Sequence, residues 1–205
     1  MGLSPTGLAE VVPEGWAIKS IDELLVDRSI TDHLDGNHGE LYPRSHEFKR
    51  DGVPYIGANG FENGDVVFTR CKFLSEERAL RFRKGVAKDG DVLFAHNATV
   101  GSVALLHTSL EYVVLSTTAT FFRVNPRRLS NSYVKVALQS FFFVSQYRAM
   151  MAQSTRFQVP ITPQRKLHLL IPPNRDQEFI ATRLDGIDDL LRKLQQVIAK
   201  KRDLK

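Results

Sequence analysis

From Asp176 to Lys205 the apolar positions fall at Ile180, Leu184, Ile187, Leu191, Leu194 and Ile198, with gaps of 4, 3, 4, 3 and 4 residues. That alternation is the seam of a coiled coil. Leu190, Val197 and Leu204 add a second row at intervals of seven and widen the stripe. The stretch holds no proline and one glycine. It predicts one uninterrupted helix, about 45 Å long at ~1.5 Å per residue. A single small domain cannot cover a helix of that length, so the seam calls for another helix.

Upstream of Pro172-Pro173 the pattern changes. Ser20-Ile21-Asp22-Glu23 before Leu24-Leu25 is a capping box and predicts a short helix from about residue 21. Residues 28–52 are polar and rich in Gly and Pro, which predicts a long loop or irregular segment. Strand-like runs follow at Val53–Gly57, Val66–Thr69, Val92–Ala95, Val100–Leu106 and Tyr112–Val124. Ser75 caps a short helix running to Arg83, and Asn131–Met151 reads as one buried helix. Thr162-Pro163 starts a helical turn, and Leu167–Ile171 is a last apolar strand. The expected fold is α+β. One globular domain, 1–171, has a mixed, curved β-sheet and short helices, and a spacer helix, 172–205, forms a coiled coil.

Charge changes the picture more than composition does. The chain has 205 residues, a net charge of +5 and one cysteine, Cys71. A disulfide framework and a multi-cysteine zinc site are thereby excluded, and a reducing, cytoplasmic setting is expected. The first ten residues hold no basic cluster and no apolar core, so no secretory signal is expected. No apolar run is long enough to span a bilayer. Residues 1–111 hold 12 basic and 17 acidic side chains, whereas residues 112–175 hold 9 basic and no acidic ones. About seven acids would be ordinary for a stretch of that length. Their absence suggests a surface for a polyanion, against the plainer reading of a compositional fluctuation.

Catalytic chemistry is not visible. There is no phosphate-binding Gly-x-x-x-x-Gly-Lys loop and no dinucleotide fingerprint. Neither Asn-Pro-Pro-Tyr nor Asp-Pro-Pro-Tyr occurs, so a base-methylating site is not expected here. His33 and His38 lie five apart; a solvated loop pair competes with a metal site and is favoured.

Six phrases in order resemble one family. They are Pro13-Glu14-Gly15-Trp16; Val53-Pro54-Tyr55-Ile56-Gly57; Gly90-Asp91-Val92-Leu93-Phe94-Ala95; Ala98-Thr99-Val100-Gly101; Ser154-Thr155-Arg156 before Ile161-Thr162; and Pro172-Pro173-Asn174-Arg175-Asp176-Gln177. Together they are similar to the specificity subunit of bacterial type I restriction-modification systems. That family's full subunit has two target recognition domains, each followed by a spacer helix; one such set is present here. Asp176 stands where the family has Glu, which keeps the charge. His96-Asn97 stands where the family often has Arg, which leaves the target sequence open.

The resemblance implies sequence-specific recognition of double-stranded DNA without catalysis. Methyltransferase subunits would be partners, and S-adenosylmethionine, ATP and Mg²⁺ would sit on partner subunits, with no cofactor in this chain. A second copy, or a second half-subunit, would pair through the terminal helix and set the gap of a two-part site. Arg and Lys pair with guanine edges, Asn and Gln with adenine edges, and many more side chains touch only phosphate. The candidates are Arg44, Lys49, Arg50, Asn59, Arg70, Lys72, His96, Asn97 and Arg156, each also readable as a solvated loop residue. Arg123, Arg127 and Arg128 read as a basic rim. Gly90, Thr99 and Gly101 read as turn-formers. A DNA-modifying enzyme fragment and a coiled-coil protein adaptor are the competing functions.

Overall fold

The computed structural model describes residues 12–36 and 38–203. The chain enters through β1 (Ala17–Ser20), α1 (Ile21–Val26) and β2 (Ile30–Asp35). Short strands follow: β3 (Phe48–Lys49), β4 (Val53–Ile56), β5 (Phe61–Glu62), β6 (Asp65–Val66) and β7 (Lys72–Leu74). After α2 (Glu76–Ala79) come β8 (Val86–Ala87), β9 (Val92–Ala95), β10 (Val103–Leu105), β11 (Val113–Leu115) and β12 (Ala119–Val124). The domain closes with α3 (Asn131–Gln139), α4 (Phe141–Ala152), α5 (Ile161–Arg165) and β13 (His168–Ile171), and α6 (Asn174–Asp203) leaves it. The expected α+β class with a long terminal helix is present.

The core is layered because its central strands are apolar on both faces. A six-stranded sheet runs β2-β12-β9-β10-β6-β5, and a five-stranded sheet runs β3-β7-β4-β11-β8. Side chains alternate across a strand. Val92, Phe94 and Phe122 therefore join Tyr133, Leu138, Phe143 and Tyr147 under the helices. Leu93 and Phe121 point the other way, to Ile56, Leu106 and Leu115 between the two sheets. Val114 reaches a third cluster with Tyr55, Leu74 and Phe82. Phe94, Phe143 and Tyr147 pack edge to face at 5.8–5.9 Å.

Three expectations need correction. The polar segment 28–52 contains β2, which pairs antiparallel with β12 from Asp35↔Thr120 to Ile30↔Val124. The inward position between Ile30 and Leu34 is His33, a polar residue, so the alternation did not read as a strand. The single helix at 131–151 is two. Ser140 is extended (φ −64°, ψ 150°) and its hydroxyl accepts the Phe143 N–H, ending α3 and starting α4. The run 112–124 also divides, into β11 and β12, one in each sheet. The Ser20–Glu23 capping box and the Ser75 cap stand as expected.

Two of the six sequence phrases meet in space. β1 pairs antiparallel with β13, Ala17 opposite Ile171. Gly15 (φ +80°) turns against the Pro173 ring, where a Cβ would lie 3.4 Å from Cγ. Gln177 is 1% exposed. It accepts the Ser130 N–H (2.7 Å) and donates to the Pro172 carbonyl (3.1 Å), joining the start of α3 to the root of α6.

Four of the nine basic side chains of residues 112–175 are tied to other parts of the domain. Arg123 binds Asp91 through Nε (2.9 Å) and Nη2 (2.7 Å) and reaches Asp32 at 3.5 Å. Lys135 pairs with Asp185, Arg128 donates to the Asp27 carbonyl, and Arg165 donates to the His33 carbonyl. Their acids come from before and after the acid-free stretch. Arg123 is thus a structural partner for the buried Asp91 rather than a basic rim. Arg123→Ala is expected to lose about 2–4 kcal/mol, toward the lower end of the cost of breaking a buried pair because Arg123 is 29% exposed. Urea denaturation checks it; Arg123→Lys should recover part of the loss.

Candidate nucleic-acid interface

Six of the nine candidates gather on the small sheet and its flanking turns. Arg44 is exposed and its N–H is held by Glu47 (2.7 Å), which shapes the turn into β3. Lys49 and Arg50 are exposed at that edge strand. Lys72 lies beside it in β7, with Nζ 4.6 Å from the centre of the Phe48 ring. Arg70 ends the turn before β7 and pairs with Glu62 at 2.9 Å. Asn59 is exposed and donates to the Arg70 carbonyl (3.3 Å). The Arg70–Glu62 pair is nearly half exposed on both sides, so it is worth at most ~1 kcal/mol and exchanges readily for a phosphate.

The other three candidates sit where two loops join. Asn97 and Gln158 form an isolated antiparallel bridge, and the Val159 N–H donates to the His96 carbonyl (2.9 Å). Arg156 is exposed at the tip of that second loop. The Asn97 side-chain oxygen accepts the Ala98 N–H (2.8 Å), supporting Ala98 at φ +65°. Gly101 closes the turn at φ +101°, and a Cβ there would lie 2.3 Å from the Tyr147 hydroxyl, so only glycine fits. Both groups hang on Thr118: its hydroxyl accepts the Ala58 N–H (2.9 Å) and its carbonyl accepts the His96 N–H (3.0 Å). Asn59 and Asn97 are each one residue from these bonds.

His96 points inward. It is 6% exposed and its Nδ1 lies 2.8 Å from the Thr120 hydroxyl. Thr120 accepts from Gln164 Nε2 (3.0 Å), and Gln164 Oε1 lies 3.2 Å from His33 Nε2. This buried chain fastens α5 and the 154–160 loop to β2, β9 and β12. His96 is therefore a support beneath Asn97 rather than a surface side chain. His33 and His38 are not a solvated pair either: both are buried, and His38 Nε2 binds the Leu115 carbonyl (2.6 Å). Among the described residues no group of three or more His, Cys, Asp or Glu could hold a metal. Burial raises the Cys71 thiol to about 11, so it is not an activated nucleophile.

The sequence reading passed over Arg81, Arg83, Lys84 and Lys88. All are exposed, and none has an ion-pair partner among the described residues. They lead from α2 into β8, and the run Arg81-Phe82-Arg83-Lys84 was their signal. Thr118 carried no signal, since its role arises only where β4, β9 and β12 converge.

A family model for the type I restriction modification DNA specificity domain matches residues 13–200. The chain belongs to that family. Solved structures share the specificity-domain fold. A chain from a study of complex assembly and conformational transition of the type I R-M system has a TM-score of 0.66 at 19% identity, covering 97% of this chain and 46% of that one. The HsdS subunit from Thermoanaerobacter tengcongensis gives 0.60 at 21% identity, covering 96% and 42%. The type I S subunit from M. genitalium gives 0.58 at 13% identity, covering 95% and 46%. The specificity-domain chain thus spans less than half the length of each. No curated protein matches it in sequence. Among the described residues no helix is long and apolar enough to cross a membrane.

Burial lowers the His33 pKa to about 3 from an ordinary 6.5. The unfolded chain protonates this ring near pH 6.5, but the folded chain does so only near pH 3. Stability from the neutral ring is therefore complete above pH 6.5 and is lost as the pH falls toward 3. His33→Gln should flatten the loss of stability between those limits, measured as denaturation midpoint against pH. An unchanged slope would show that other groups set it.

Proposed function

We propose that this chain is the sequence-reading, non-catalytic part of a type I restriction-modification assembly. It reads one half of a two-part double-stranded DNA site through the face around Thr118. The observation that supports this reading is the gathering there of amide and basic side chains: exposed Asn59 and half-buried Asn97 at the centre, with exposed Arg70, Lys72 and Arg156 around them. Asn suits bidentate pairing with adenine, and Arg with guanine. Arg44, Lys49 and Arg50 at the sheet edge suit phosphate, which adds affinity and salt dependence without sequence information. Methyltransferase and restriction subunits are the partners, and S-adenosylmethionine, ATP and Mg²⁺ sit on those partner subunits.

The second half-site is read by another domain paired through α6. Along that helix Leu184, Ile187, Leu191, Leu194 and Ile198 are 40–53% exposed, as a seam awaiting a helix is; Ile180 instead packs against the domain core. Two copies related by a two-fold axis would read an interrupted palindrome. Leu204 lies outside the described residues.

Binding-site selection with the chain and its methyltransferase subunits, at several salt concentrations, tests the reading. An enriched split motif is expected; random recovered sequences would refute it. Asn97→Ala or Arg156→Ala should cost roughly 1–3 kcal/mol and relax one position if the side chain contacts a base, whereas Lys49→Ala should weaken all sequences alike and lower the salt slope. Ile187→Asp with Leu191→Asp should abolish association through α6, seen as a fall to half the sedimenting mass. A monomer for the unmodified chain at tens of micromolar would exclude the homodimer. Methylation by the purified chain alone, removed by a point mutation in it, would overturn the non-catalytic assignment.

A further inference from the structure

Beyond Ala181 the spacer helix has no buried residue, yet it does not leave the domain freely. Helix α3 runs parallel to its first half, from the Ser130–Gln177 bond to the Lys135–Asp185 pair. Lys135 Nζ lies 2.8 Å from Asp185 Oδ1, and its side chain is only 15% exposed. Its stem rests on Gly64, where a Cβ would meet Cδ at 3.7 Å. Gly64 and Asn63 are both left-handed (φ +85° and +53°), the form of a two-residue turn joining β5 to β6. The Asn63 carbonyl accepts Arg192 Nη1 at 3.1 Å, and the same guanidinium pairs with Asp189 one turn back.

Ala181, Asp185 and Arg192 share one face of the helix, spaced by four and seven residues. The apolar seam of Leu184, Ile187 and Leu191 runs beside that face and is left half exposed. Between the ties lies an open groove of about 830 Å³ bordered by Phe61, Lys135, Gln139 and Leu184. Packing therefore does not hold the helix at this distance from the domain; two polar contacts do.

We propose that Lys135 and Arg192 are positioning residues that fix the direction of α6 against the recognition domain, and through it the gap between the two half-sites. The consequence for DNA rests on the recognition role proposed above. From Ala181 to Asp203 the helix is a lever of about 33 Å at ~1.5 Å per residue. A swing of ~10° moves its tip by roughly 6 Å, nearly two base-pair steps of ~3.4 Å. A hinge held only at Ala181 would accept several gaps; a helix tied twice more accepts one.

The test uses the full chain with nitroxide labels at Thr162→Cys and Gln196→Cys in a Cys71→Ser background, diluted with unlabelled chain. Both labelled positions are exposed. Pulsed electron resonance should give one narrow distance distribution. Lys135→Ala with Arg192→Ala should at least double its width or shift its centre, with the thermal midpoint little changed. Lys135→Asp alone should do the same, and adding Asp185→Lys should restore the narrow distribution, which a merely structural loss would not allow. In site selection the double variant should recover the same half-site bases at two or more gap lengths where the unmodified chain recovers one. Unchanged widths, or the same single gap in both, would overturn the proposal. If the unmodified chain enriches no split motif, the recognition reading fails, and the distance widths alone decide whether these residues direct the helix.

Discussion

Strand β9 and the first four residues of β12 have no face toward water, and the rest of the domain follows from that. Apolar side chains on both faces of Val92–Ala95 and of Ala119–Phe122 demand a layer on each side: helices over one, the small sheet over the other. The few polar groups that enter this centre must find partners inside it, because an unpaired buried group costs more than most single contacts provide. Asp91 takes Arg123, and Thr120 takes His96 and Gln164. The surface turn at Thr118, from which the loops of Asn59 and Asn97 hang, is the continuation of the same strand. Its position is set by the core rather than by the loops.

The long helix was legible because its pattern repeats over many turns and needs no tertiary context. Capping at Ser20 and Ser75 was legible for the same local reason. β2 was hidden because His33 occupies an inward position and finds its partner, Gln164, far along the chain. The Asn63-Gly64 turn is a strong hairpin signal, but its flanking strands are two residues each, too short to show alternation. Of the candidate site, loop residues were recognisable by type. The inward rotation of His96 was not, since it depends on Thr120.

The acid-free stretch carries a lesson about charge along a sequence. Arg123 and Lys135 draw their carboxylate partners from Asp32, Asp91 and Asp185, none of which lies within it. Four of the nine basic residues of that one-signed segment became fasteners of the domain in space. Exposed basic charge lies also on the turns before β3 and β8, in a part of the chain whose own net charge is negative.

The antiparallel pairing of β1 with β13 brings the domain's way in and way out side by side, Ala17 opposite Ile171. Everything between them is a closed excursion of the backbone. Exchanging that excursion for another of the same outline would change the surface it presents without rerouting the chain, since both cut ends already lie next to each other. The root of α6 belongs to the frame through Gln177, but the frame grips the excursion at Ser130, Lys135 and Asn63. Any substitute for that excursion must therefore keep all three handholds to leave α6 pointing the same way.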